Sequence, residues 1–192
     1  MKKILGMVLF VLVLGSILTV TLLAVDHYTA PTIEANERIK VRTNVLEALG
    51  IPVDDSDVDT VFDRAVDVSE AAGTTLFIAA DGSKAIAYEG AGLWGTITGI
   101  LSVNPDGTAL RGVTIIHQEE TPGLGGRISE EEYLAGFSGR LLEPPMVVTA
   151  PGKASSPEEI DAITGATMTS NAFISILNDH IAAAMPILRG DQ

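Results

Sequence analysis

Residues 161–170 read Asp161-Ala162-Ile163-Thr164-Gly165-Ala166-Thr167-Met168-Thr169-Ser170, small side chains interleaved with hydroxyls just before an apolar segment that reaches Pro186. Phe173, Ile176, Leu177 and Ile181 recur at helical spacing, so the run opens a helix. Gly165 is free to turn the backbone, and Thr169 or Ser170 is available as a cap. The first turn of a helix leaves N–H groups without intrahelical partners and carries the positive end of the dipole. Two readings follow: an ordinary capped helix, or a seat for an anion such as a phosphate beside an exposed hydroxyl.

A second stretch is Glu120-Thr121-Pro122-Gly123-Leu124-Gly125-Gly126, after a β-type run that ends at His117. Pro122 stiffens the loop and the glycines keep it thin, so it is either a surface turn or a place where a flat ligand can approach the backbone. It fails the dinucleotide fingerprint, because Ile128 stands where the third glycine belongs. A third stretch, Gly90-Ala91-Gly92-Leu93-Trp94-Gly95, contains the only tryptophan. Glu119 and Glu120, adjacent acids on a loop, are expected to face water, as is Lys153.

Other chemistry is excluded or unsupported. The chain has no cysteine, which removes disulfides, thiolate metal sites, iron–sulfur clusters and cysteine nucleophiles, and its three histidines are too few for a convincing zinc or haem site. No G-x-S-x-G elbow surrounds Ser102 or Ser138, and His117 has no recognisable partner. The acidic run at residues 54–59 fails as a calcium loop: counting from Asp55, Thr60 replaces the turn glycine and Val66 the bidentate glutamate. A net charge of −13 argues against nucleic acid as a partner.

The elements that must position these stretches begin with residues 4–25, a run without charge. As a helix it is about 33 Å long, enough to cross a bilayer. A cleaved signal peptide competes, but its apolar core would be about 7–15 residues and followed by an A-x-A site. An uncleaved anchor is therefore expected. Lys2 and Lys3 precede the span while Asp26 and Glu34 follow it, which puts the N-terminus in the cytoplasm and the rest outside.

A helix is expected over residues 32–49, with Thr32 as cap and Gly50 and Pro52 ending it. Strands are expected over residues 74–80 and 85–88 around Asp81-Gly82, over 93–103 and 109–117 around Asn104-Pro105-Asp106-Gly107, and over 146–150. A short helix over 130–137 precedes the last of these. The fold class is α+β, with a twisted, mostly antiparallel sheet and flanking helices. The divisions are an anchor (1–25), a juxtamembrane helix with an acidic linker (26–72) and one domain (73–188).

Thr164-Gly165-Ala166-Thr167, with Asp161 before it and Thr169-Ser170 after it, resembles the flavinylation motif of an FMN-binding domain family. That family occurs in the C subunit of the sodium-translocating NADH:quinone reductase and in the G subunit of the Rnf-type electron-transport complex. E-T-P-G-L-G and G-x-G-L-W are further hallmarks, here in family order across about residues 85–175. The resemblance implies FMN esterified through its phosphate to Thr167, with Thr164, Gly165, Ala166, Thr169 and Ser170 around the attachment point. It also implies Thr121, Gly123, Leu124 and Gly125 beside the flavin ring, with Leu124 against the isoalloxazine. Trp94 either packs near the flavin or fills the core.

The implied role is a membrane-anchored electron carrier in a redox-driven ion pump. Its partners are the other membrane subunits, and a separate FAD-dependent flavin transferase matures it. The alternative is a free-standing extracytoplasmic FMN-binding reductase or sensory module.

Overall fold

The computed structural model describes residues 2–54 and 57–190; of the acidic run, Asp55 and Ser56 lie outside the described residues. The chain divides between Ile39 and Lys40 into two units. Helix α1 (Lys2–Ala48) supplies nearly all of the first unit and the opening residues of the second. Its N-terminal part is exposed, and it is long and apolar enough to cross a membrane. No separate helix starts at Thr32, because α1 runs through Pro31. A proline inside a helix removes one N–H bond, a local loss that the long helical runs on either side outweigh.

The second unit is built on a five-stranded antiparallel meander in sequence order. Its strands are β1 (Val66–Ala71), β2 (Thr74–Ala79), β3 (Lys84–Ala91), β4 (Thr96–Val103) and β5 (Leu110–His117). Alternation along a strand sends successive side chains to opposite faces. Ala85 and Ile100 accordingly face one cluster, with Val45 and Leu46 of the α1 end, Leu49 just past it, and Val58 and Phe62 of α2 (Val58–Ala65). Ile86, Tyr88, Ile97 and Leu101 face the other, with Phe173, Ile174, Leu177 and Ile181 of the C-terminal helix α4 (Thr167–Arg189). Between β5 and α4 lie a 3-10 turn (Gly125–Ser129), a short helix α3 (Glu131–Ala135) and a parallel pair, β6 (Val147–Thr149) with β7 (Glu159–Asp161).

Two differences from the sequence reading have plain causes. Strand β1 pairs with β2 along its whole length and, with α2 and the end of α1, completes the sheet and one core before residue 73. An edge strand reading Val-Asp-Val-Ser-Glu-Ala, with only Val66 buried, looks like an acidic linker in sequence. The expected strand at residues 93–103 starts only at Thr96, because the Gly92 N–H donates to the Gly95 carbonyl (2.8 Å) and closes a turn around Leu93-Trp94.

The buried Ser102 hydroxyl donates to the Ala48 carbonyl and fixes the end of α1 on β4. Leu46, fully buried there, makes the contribution of this end measurable. Leu46→Ala should destabilise the second unit by about 2–5 kcal/mol in denaturant unfolding. A loss below about 1 kcal/mol would mean that the α1 end is not part of the core.

Candidate functional site

Three segments far apart in sequence line one open cleft of about 330 Å³: Leu93-Trp94, Thr121 with Leu124-Gly125, and residues 165–169. The turn between β3 and β4 supplies the first, the loop after β5 the second, and the start of α4 the third. They are the three stretches singled out in the sequence.

Helix α4 begins at Thr167, earlier than a cap at Thr169 or Ser170 would place it, and no side chain caps it. Neither candidate cap is available. The Thr169 hydroxyl donates to Glu120 Oε2 (2.7 Å), and the Ser170 hydroxyl donates to the Ala166 carbonyl (3.1 Å) while accepting the Ile163 N–H (3.1 Å). Helical geometry decides this: Thr169 shares a face with Phe173 and Ile176, and Ser170 with Ile174 and Leu177, so both are buried. Thr167 shares its face with Asn171 instead, and its side chain is exposed at the first helical position. The first turn itself contains no acidic residue, and Thr167, Met168 and Thr169 of that turn line the cleft.

Glu120 is where the three segments meet. Expected in water, it is instead buried, at 4% exposure, whereas Glu119 faces solvent within 3.5 Å of His117. Its Oε1 accepts the N–H groups of Leu93 (2.7 Å) and Trp94 (3.0 Å), and its Oε2 accepts the Thr169 hydroxyl. A buried carboxylate is costly unless its oxygens are bonded, and here both are. The turn around Leu93-Trp94 is thereby pinned while the Trp94 side chain stands 73% exposed on the rim, which excludes a core role for the indole.

The glycines of the loop divide their work differently from the sequence reading. Gly125 is buried, and a Cβ there would lie 2.6 Å from Thr169 Oγ1 and 2.8 Å from Glu120 Oε2. Its missing side chain makes room for the carboxylate bond rather than for a ligand. Gly123 has φ +74° and open space around it, and it turns the loop through the left-handed region. Leu124 reaches over Gly165, whose φ of +82° and bare Cα let the two segments touch; a Cβ on Gly165 would meet Leu124 Cδ2 at 3.3 Å.

Thr164 faces away from this cleft, into a neighbouring one of about 380 Å³ lined also by Arg127, Tyr133 and Arg140. The cations there are engaged: Arg140 donates to the Gly136, Ser156 and Pro157 carbonyls, and Arg127 to Glu130. Asp161 accepts the Lys153 and Ala154 N–H groups (2.8 and 2.9 Å), with the Ala154 bond leading, and these hold its carboxyl below the ordinary range. Lys153 itself is exposed, as expected. Ala166 and Ser170 are buried beneath the turn, so of the hydroxyls in this stretch only those of Thr164 and Thr167 are exposed.

Residues 92–182 match a family model described as an FMN-binding domain. The C subunit of the Na(+)-translocating NADH-quinone reductase of Pasteurella multocida is 34% identical over 89 residues, 44% of this chain. That match spans about a third of the relative (34%), and the match to the corresponding Yersinia pestis protein spans 36%. The G subunit of the Na(+)-translocating ferredoxin:NAD(+) oxidoreductase complex of Acetobacterium woodii is 28% identical across 92% of this chain and 88% of its own length. The crystal structure of the Parabacteroides distasonis NADH-quinone reductase C subunit superposes with a TM-score of 0.71 at 25% identity, covering 82% of this chain and 96% of that one. The Shewanella oneidensis structure gives 0.70 at 18% identity and shares the fold.

The carboxylate bond can be tested without any ligand. Thr169→Val keeps the shape of the side chain but leaves Glu120 Oε2 without its hydroxyl donor, and it should cost about 1–3 kcal/mol in denaturant unfolding. Thr169→Ser should recover most of that loss, and a valine variant as stable as wild type would contradict the assignment.

Proposed function

We propose that this chain, whose residues 92–182 match a model of the FMN-binding domain family, is a membrane-anchored electron carrier with FMN bound covalently through the Thr167 hydroxyl. The observation that carries the reading is the exposed Thr167 side chain at an uncapped helix start, opening onto the cleft that Leu93-Trp94 and Leu124 share.

The residues present fit the group. The first-turn N–H groups of α4 and its dipole receive a phosphate attached to Thr167 Oγ. Leu93, Trp94, Leu124 and Met168 are all exposed around the cleft and offer apolar flanks to a ring system, with Gly165 leaving Leu124 free to lie across the turn. When bound, FMN would supply one- or two-electron transfer. The protein's part is to hold the phosphate end, exclude water from one side of the ring and leave the other side open to a partner.

Attachment requires that Thr167 Oγ displace AMP from FAD: the oxygen–phosphorus ester forms, the pyrophosphate link breaks, and the hydroxyl proton leaves. A separate FAD-dependent flavin transferase performs this step. On this reading the segment within residues 4–25 is a single-pass anchor in the cytoplasmic membrane with the FMN domain outside, where a covalent tether keeps the flavin from being lost. The near full-length likeness to the Acetobacterium woodii protein favours a place in an ion-translocating complex of that kind, alongside other membrane subunits.

Thr167→Val should abolish the in-gel flavin fluorescence of denatured protein made together with a flavin transferase. Its unfolding free energy should shift by no more than about 0.5 kcal/mol, because the site is exposed. Persistent fluorescence in the variant would refute the attachment site. For topology, protease added to spheroplasts should digest the second unit in cells whose cytoplasmic proteins stay intact. A protected domain, or a mature soluble chain beginning near Asp26, would overturn the arrangement.

A further inference from the structure

Glu120 is the only carboxylate among the described residues that is buried and shared between separate segments of the cleft, and the function proposed above makes no use of it. Its three donors come from two places. The Leu93 and Trp94 N–H groups belong to the β3–β4 turn, and the Thr169 hydroxyl belongs to the first turn of α4. Nothing else on the loop after β5 makes a side-chain hydrogen bond across the cleft, while Thr121 is spent on its own loop, its carbonyl accepting the Leu124 and Gly126 N–H groups (3.1 and 3.0 Å).

The packing is arranged around this carboxylate. A Cβ at Gly92 would come within 2.5 Å of Oε1 and one at Gly125 within 2.8 Å of Oε2, so both neighbouring backbones close on it only because they carry no side chain. The Glu120 N–H is itself held by Gln118 Oε1 (2.7 Å), which fixes the side chain's origin. Oε1 accepts two N–H groups and Oε2 accepts the hydroxyl of Thr169 in the first turn of α4, bonds that favour a negative charge.

We infer that Glu120 is the positioning residue of the flavin cleft, a charged clasp that sets the distance between the Trp94 turn and the Thr167 helix start and places a fixed negative charge beside the bound ring. Two consequences follow. The Leu93 and Trp94 amides are protected by Glu120 and by no strand bond. The charge opposes the arrival of electrons on the ring and holds its midpoint potential down.

The first consequence is read on the full chain without flavin, in a Thr167→Val background, by hydrogen–deuterium exchange of peptides spanning residues 92–95. Adding Glu120→Ala should speed exchange there about tenfold, the change expected when a hydrogen bond to a charged group is lost. Strand β4 should keep its protection. If Glu120→Ala does not fold, Glu120→Asp, one methylene short of the turn, gives the same comparison.

The second is read by redox titration of protein flavinylated at Thr167. Glu120→Gln retains an acceptor for the two N–H groups but removes the charge, and its potential should rise by about 30 mV or more, a tenfold change in a two-electron equilibrium. Wild-type exchange rates in the alanine or aspartate variant, or a wild-type potential in the glutamine variant, would overturn the inference. The potential depends on the covalent FMN proposed above and the exchange does not. Wild-type protein that takes up no flavin would therefore refute that attachment while the exchange rates still judge the clasp.

Discussion

A carboxylate taken out of water must recover several kilocalories per mole through hydrogen bonds, and Glu120 recovers them only if the β3–β4 turn, its own loop and the start of α4 arrive together. That condition makes the site cooperative. Any one of the three segments misplaced leaves a buried oxygen unpaired, so the cleft is either assembled or costly. The glycines at 92 and 125 follow from the same constraint, since each gives up its side chain to a carboxylate oxygen.

The scaffold's task is to bring those segments within reach, and the meander does so by topology. The β3–β4 turn and the end of β5 lie at the same end of the sheet, as the pairing of Thr98 with His117 requires. Helix α4 lies against the face that carries Tyr88 and Ile97, with its N-terminus directed to that end. The opposite face is covered by the end of α1 and by α2, which lie outside the matched region of residues 92–182 yet supply one of the two cores. The stretch that matches the family model is therefore shorter than the structure that supports the cleft.

Much of this was legible in the sequence because turn chemistry and periodicity are local. Asp81-Gly82 and the run from Asn104 to Gly107 mark tight turns, with Gly82 and Gly107 at positive φ, and the strands on either side fall close to their expected bounds. The three motifs did converge. Glu120 was not legible, because two adjacent acids on a loop look alike in sequence and only tertiary structure decides which turns inward. The roles of Thr169 and Ser170 could have been found: four residues on, they meet the apolar Phe173 and Ile174, whereas Thr167 meets the polar Asn171. Strand β1 was hidden by its exposed acidic side chains, which an edge position permits.

On the function proposed above, one hydroxyl, at the uncapped first position of α4, carries the cofactor. Tandem mass spectrometry of proteolytic peptides from the full chain, produced together with a flavin transferase, tests it most directly. The account predicts a single FMN phosphoester whose fragment ions place it on Thr167, with Thr164 and Thr169 unmodified. An FMN ester on Thr164 or Thr169, or a chain that remains unmodified when a known acceptor is labelled in the same cells, would contradict it.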